Sequence, residues 1–190
     1  MRICLYGSSS TDLEQIYYDK AFELGCLMAE RGHSMVFGGG ENGLMGACVR
    51  GLESHGGKAV GVAPRFFDVP GILHQECEEF IFTDTMGERK EIMEDMADAF
   101  VIVPGGVGTL EEFLEAFTLK QLGQMNKPIG VLNTDHYYDL LIVMMERIMD
   151  KGFMKRECAD LCGYYEEPAD LLDYIENVHE EPMDINLKLR

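Results

Sequence analysis

Short apolar runs alternate with longer amphipathic stretches along most of this chain. The runs are Ile3–Tyr6, Met35–Phe37, Ala59–Val62, Phe80–Phe82, Phe100–Val103 and Ile129–Leu132, most of them rich in Val, Ile and Phe. Between them, residues 12–30, 44–55, 88–97, 110–122 and 137–150 place apolar side chains three and four positions apart, the spacing of one helix face. Strand alternating with helix predicts an α/β fold, a doubly wound parallel sheet flanked by helices. Continuous apolar strands suit a sheet covered on both faces. No repeat, low-complexity segment or Pro/Gly/Ser linker interrupts the pattern, so residues 1–179 read as a single domain and EEPMDINLKLR, residues 180–190, as a polar tail. One helix departs from the amphipathic rule. The segment from His136 to Asp150 is apolar around most of its circumference at Leu140–Met145. Such a helix is either internal, between the sheet and a C-terminal helix, or covered on its second face by a partner; the expectation is a homodimer.

Composition narrows the chemistry. With 190 residues, 46% hydrophobic and 26% charged, the chain is long enough for one buried core. A formal net charge of −18 argues against nucleic acid or an anionic membrane as partner, since both require a broad basic face. An anionic small molecule stays open if the binding charge is local. The six cysteines are scattered without a C-x-x-C pair, which predicts neither a metal site nor a disulfide framework and fits a reduced, cytoplasmic setting. No basic segment followed by an apolar one opens the chain, and no apolar run reaches the ~18 residues of a membrane span.

In a parallel sheet of this kind, ligands settle beyond the carboxyl ends of the strands, so the strand-to-helix loops are the places to search. After Ile3–Tyr6 comes GSSSTDLE. Ser8 and Ser9 offer hydroxyls to a site, and Thr11 with Glu14 has the spacing of a helix capping box, which alone would explain the loop. The second loop, FGGGENGLMGA, contains G-x-G-x-x-G at Gly38, Gly40 and Gly43. A dinucleotide site also requires an acidic residue at the end of the next strand, where this chain has Ala63, Pro64 and Arg65. An NAD(P) oxidoreductase therefore rests on this loop alone, with Arg65 the one group suited to an NADP phosphate.

The third loop carries more. VIVPGGVGTLEEF places Gly105, Gly106 and Gly108 within four positions, between a buried strand and a helix expected to begin near Leu110. Glycines so dense let the backbone approach a ligand closely, and a helix N-terminus adds roughly half a positive charge. The loop is a candidate phosphate cradle without being a Walker A sequence, because no Lys-Ser/Thr pair follows its last glycine. Thr109 and Glu112 also have capping-box spacing. Upstream, DTMGERKEIMEDMADAF puts Arg89 and Lys90 in the opening turn of a helix, where the macrodipole disfavours cations. Glu88, Glu91 and Glu94 can compensate, with Lys90–Glu94 an i,i+4 pair; alternatively Arg89 faces an anion, for which its planar fork is suited.

GERK followed by PGGVGTLEE, together with ICLYGSSS, FGGGENGLMGA and TLKQLGQMNKPIG, resembles the LOG family, the cytokinin riboside 5′-monophosphate phosphoribohydrolases once widely labelled lysine decarboxylases. The resemblance covers most of the chain. It implies a Rossmann-like fold and a homodimer without a cofactor that hydrolyses the N-glycosidic bond of a nucleoside 5′-monophosphate, AMP or a cytokinin riboside 5′-monophosphate, to free base and ribose 5-phosphate. It implies Arg89 and Glu112 as the catalytic pair. Ser9, Lys90, Gly105, Gly106, Val107, Gly108, Thr109, Leu110, Glu111 and Thr118 are then the expected surroundings of the nucleotide. Glu112 would stabilise the oxocarbenium character that develops as the base departs and accept a proton from water. Arg89 would hold the phosphate or align Glu112. Gly87, Val107 and Leu119 depart from residues common in the family and bear on base specificity. A competing expectation of another class is a carrier that holds a nucleotide or a molybdopterin-like cofactor on the same fold, since sites rather than folds decide function.

Overall fold

The computed structural model describes residues 1–178; the polar tail expected at 180–190 lies outside them. Among the described residues, seven strands and six α-helices form in chain order. They are β1 (Arg2–Tyr6), α1 (Gln15–Glu30), β2 (Ser34–Phe37), α2 (Gly43–Ser54), β3 (Ala59–Pro64), β4 (Glu79–Thr83), α3 (Met86–Met96), β5 (Ala99–Ile102), α4 (Val107–Gln121), β6 (Ile129–Leu132), α5 (Asp139–Asp150), β7 (Gly163–Tyr165) and α6 (Pro168–Asn177). All strands pair in parallel in the order β4-β3-β2-β1-β5-β6-β7. This is the expected α/β, Rossmann-like sheet, with one strand more than the apolar runs reveal.

Strand alternation divides the core in two. Ile3 and Leu5 face α1, α2 and α6, whereas Cys4 and Tyr6 face the side covered by α3, α4 and α5, because successive residues of a strand point to opposite faces. On the first side α1 and α2 approach closely: a side-chain carbon on Gly25 would lie 2.0 Å from the Cys48 carbonyl oxygen. The strand order reverses direction between β1 and β5, so the loops after these two strands diverge and open a crevice at the carboxyl edge.

The α5 helix buries Met145 and Met149, while Leu140, Val143 and Met144 are 84%, 63% and 54% exposed. The alternative of an internal helix is not what the described chain adopts, since α6 packs instead against α1, β6 and β7. Among the described residues, no helix is long and apolar enough to cross a membrane.

Candidate active site

The crevice at the β1/β5 switch point holds a cavity of about 740 Å³, reached by the loops after β1, β2 and β5 and by α3. Each loop enters for a local reason. The β1 loop is tied to the β5 loop by the Ser8 amide, which donates to the Pro104 carbonyl at 3.1 Å. Its serines turn on themselves, Ser8 Oγ accepting from the Ser10 amide at 3.0 Å. The Thr11–Glu14 capping box does not form: α1 starts at Gln15 with Glu14 as its N-cap and no side-chain cap bond. Ser8 and Ser9 therefore border the cavity rather than cap a helix.

The helix after the β5 loop begins one turn earlier than the sequence suggests. Helix α4 begins at Val107 behind a Gly106 N-cap, so the first-turn amides belong to Val107, Gly108 and Thr109, which have no intrahelical partners. Thr109 consequently sits inside the helix, and the Thr109–Glu112 capping box is absent as well. A side-chain carbon at Gly105 would lie 2.1 Å from Thr109 Oγ1, so glycine there lets the loop fold over the threonine.

Freed from capping, Glu112 turns toward α3. Arg89 Nη1 donates to Glu112 Oε1 at 2.6 Å, and Arg89 Nε donates to the Val62 carbonyl at 3.2 Å. The two side chains are buried, Arg89 at 6% and Glu112 at 9% exposure, and both border the cavity. The anion that compensates Arg89 in the first half of α3 is thus Glu112, not Glu91 or Glu94. Glu88 serves the helix end: its amide donates to the Thr85 hydroxyl, and its carboxylate accepts from the Asp84 amide. Burial pushes the Glu112 carboxyl above the usual carboxylate range, against the opposing pull of Arg89.

The second glycine loop acquires a role that does not involve a dinucleotide. A side-chain carbon on Gly38 would lie 2.2 Å from Arg89 Nη2, so the missing side chain makes room for the guanidinium. Gly43 has φ of 65°, and a carbon there would lie 2.3 Å from the Ser8 carbonyl oxygen. Arg65 faces Phe82 and Asp84 on the surface, outside the cavity. The NADP reading loses the one cation it had.

The other expected site residues divide into two groups. Ser9, Gly106, Gly108 and Thr109 border the cavity with Arg89 and Glu112. Lys90, Gly105, Val107, Leu110, Glu111 and Thr118 do not. Lys90 bridges α3 to α4, its Nζ 2.5 Å from Glu111 Oε1 and 2.6 Å from Glu115 Oε2; the expected Lys90–Glu94 pair gives way to these. Val107 is 84% exposed at the helix tip and Thr118 is exposed on α4.

One wall of the cavity was not anticipated. Phe67, Val69, Ile72 and Leu73, from the connection between β3 and β4, line it together with Met45 and Met86. The connection is laid onto the β2 loop by Glu41 N–H to the Ile72 carbonyl at 2.9 Å and His74 N–H to the Gly39 carbonyl at 2.8 Å. Buried His74 pins it further, its ring nitrogens facing the carboxylates of Glu41 and Glu53. The readable signal was the density of apolar residues in RFFDVPGIL, a segment otherwise marked as loop by Pro and Gly.

Comparison with known proteins adds to this geometry. Residues 45–175 match a family model described as possible lysine decarboxylase. The chain is 39% identical over 153 residues to the cytokinin riboside 5′-monophosphate phosphoribohydrolase LOG2 of Arabidopsis thaliana, covering 80% of this chain and 72% of that protein. It is 35% identical over 188 residues to LOG7 of the same plant, covering 99% and 87%. Among solved structures, the molybdenum cofactor carrier protein of Chlamydomonas reinhardtii superposes with a TM-score of 0.69 at 22% identity, over 92% of this chain and 95% of that one. The latter likeness is one of fold. On the family model and these relatives together, the chain belongs to the LOG family.

Proposed function

We propose that this protein hydrolyses the N-glycosidic bond of nucleoside 5′-monophosphates, AMP and cytokinin riboside 5′-monophosphates among them, to free base and ribose 5-phosphate. The observation that carries the reading is the buried Arg89–Glu112 pair, bonded at 2.6 Å, bordering the same cavity as the amino end of α4. The family supports it, since curated relatives are named for this reaction on cytokinin riboside 5′-monophosphates. With phosphate on the α4 amides, the sugar lies between the cradle and Glu112. The Glu112 carboxylate stabilises the developing oxocarbenium ion and takes a proton from the attacking water, whose oxygen bonds C1′ as the C1′–N bond breaks; the base leaves with its electron pair and takes up that proton, which restores the carboxylate. Arg89, held by Val62 and given space by Gly38, aligns Glu112. The apolar wall from Phe67 to Leu73 takes the base. Incubation with a panel of nucleoside monophosphates, reading released base, tests this; a panel left intact contradicts it.

The carrier reading draws on structural neighbours alone. A carrier needs the cradle but has no use for a carboxylate held against an arginine, so the pair favours the enzyme.

The pair also sets the pH dependence. Glu112 acts as its carboxylate, and burial raises its pKa above the 4.5 of an ordinary glutamate. Activity is therefore lost as pH falls through that raised value, and the acid limb of the kcat profile is expected above the usual carboxylate range. Arg89 is the leading influence holding the value down, so Arg89→Gln is expected to shift the limb further upward as well as slow the reaction. A limb unmoved by that substitution would detach the titrating group from Glu112. Gly38→Ala gives a second check: the backbone tolerates alanine, and the guanidinium at 2.2 Å must move. A melting temperature within a few degrees of wild type, with AMP hydrolysis reduced at least ~10-fold, is expected from misplacing one catalytic group.

We further infer a homodimer in the reducing cytosol, where the six cysteines stay free. The support for assembly is the outer face of α5, whose Leu140, Val143 and Met144 are exposed on a helix with a second apolar face to bury. Light scattering is expected to report twice the 21.4 kDa chain mass. A single-chain mass at micromolar concentration would remove the dimer.

A further inference from the structure

The connection between β6 and α5 carries a backbone anomaly. Asp135 and His136 are adjacent non-glycine residues with φ of 51° and 58°, a region that L side chains rarely adopt. Such conformations persist where surrounding structure over-determines them, and they concentrate at functional sites. Here Asn133 locks the turn: its Oδ1 accepts from the Tyr138 amide at 2.7 Å and its Nδ2 donates to Asp139 at 2.9 Å.

The turn delivers two tyrosines to the cradle. The Tyr137 hydroxyl donates to the Gly105 carbonyl at 2.7 Å, and the Tyr138 hydroxyl donates to the Val103 carbonyl at 2.9 Å. The carbonyl between them, Pro104, accepts from the Ser8 amide at 3.1 Å. Three consecutive carbonyls of the β5 loop are thus engaged by other groups. The consequence matters for an anion, because a carbonyl oxygen turned into the cavity would repel phosphate. In a trans peptide the C=O and N–H point in opposite directions, and none of the described peptides is cis. Holding the Gly105 carbonyl on Tyr137 directs the Gly106 N–H the other way, and Gly106 borders the cavity. The Tyr137 ring is itself wedged edge-on between Tyr17 and Tyr138, at 6.0 and 4.9 Å between centroids.

We propose that Tyr137 is a positioning residue for phosphate binding, its hydroxyl setting the Gly105–Gly106 peptide so that the amide faces the phosphate monoester of the substrate. The strained turn at Asp135–His136 is what places that hydroxyl. The inference rests on the phosphate reading above, and its test separates the two. Ribose 5-phosphate and ribose are titrated first into the wild-type protein by calorimetry. Ribose 5-phosphate should bind and ribose should not; equal binding would overturn the phosphate reading itself, and this inference with it. Tyr137→Phe, which keeps the ring and removes only the hydroxyl, should then weaken ribose 5-phosphate about 10-fold, the effect of one well-placed hydrogen bond, with adenosine affinity unchanged. A parallel loss for adenosine would mark a merely structural role and overturn the proposal. His136→Val forces a β-branched residue into the left-handed region and should reproduce the loss, whereas His136→Gly, which adopts that φ freely, should not. Wild-type affinity for ribose 5-phosphate in Tyr137→Phe overturns the proposal while leaving the phosphate reading standing, and wild-type affinity in His136→Val overturns the part given to the strained turn.

Discussion

Glu112→Gln is expected to slow base release from AMP by about 10²–10⁴-fold, the range commonly lost with a general base. Glutamine keeps the shape of the side chain and an oxygen for Arg89, but it has no charge to stabilise the oxocarbenium ion and takes no proton from water. Sequence spacing alone would attribute the residue to a capping box, in which Gln replaces Glu freely. The structure removes that role, since α4 is capped at Gly106 and Glu112 bonds Arg89 instead. Its removal leaves a buried arginine without its anion, so a modest drop in melting temperature should accompany the loss. Binding of AMP should survive or tighten, because a negative charge has left the phosphate's surroundings. Glu111→Gln provides the contrast: Glu111 is more than half exposed and Glu115 still pairs with Lys90, so little rate or stability is expected to be lost. A Glu112→Gln protein that releases adenine at a near-normal rate would eliminate Glu112 as the base.

Removing the 5′-phosphate from the substrate should cost comparably. Hydrogen bonds to charged groups contribute about 1.5–3 kcal/mol each. Loss of two amide contacts at the α4 terminus therefore predicts a kcat/KM for adenosine ~10²–10⁴ below that for AMP. Both kcat and KM should suffer, because remote binding energy places the anomeric carbon against Glu112. Equal turnover of adenosine and AMP would take the phosphate away from the Gly106–Thr109 amides.

Much of this was legible in the residues, and the reasons for the remainder are physical. The six apolar runs all became strands because a doubly covered parallel sheet demands continuous hydrophobicity. The seventh, Gly163–Tyr165, is a three-residue edge strand with no such run to betray it. Helix starts were misplaced where a motif fitted by chance: Val107 and Gly108 are weak helix formers, so α4 appeared to begin at Leu110, and the capping-box spacing of Thr109 and Glu112 pointed to a local role for a residue that the family resemblance paired with Arg89 and that bonds it from another helix. Such a contact joins residues 23 positions apart and no local rule detects it. The glycines at 38 and 43 resembled a nucleotide fingerprint, yet one clears space for Arg89 and the other for the Ser8 carbonyl. The role of Tyr137 was hidden inside HYYDLL, which reads as the opening of an apolar helix until the strained turn before it is seen.

The most direct measurement is product analysis with purified protein and AMP alone. The account predicts adenine and ribose 5-phosphate accumulating in equal amounts over many turnovers, slowed about 10²–10⁴-fold by Glu112→Gln. Recovery of AMP intact and stoichiometrically bound, with neither product formed, would contradict it and identify a carrier.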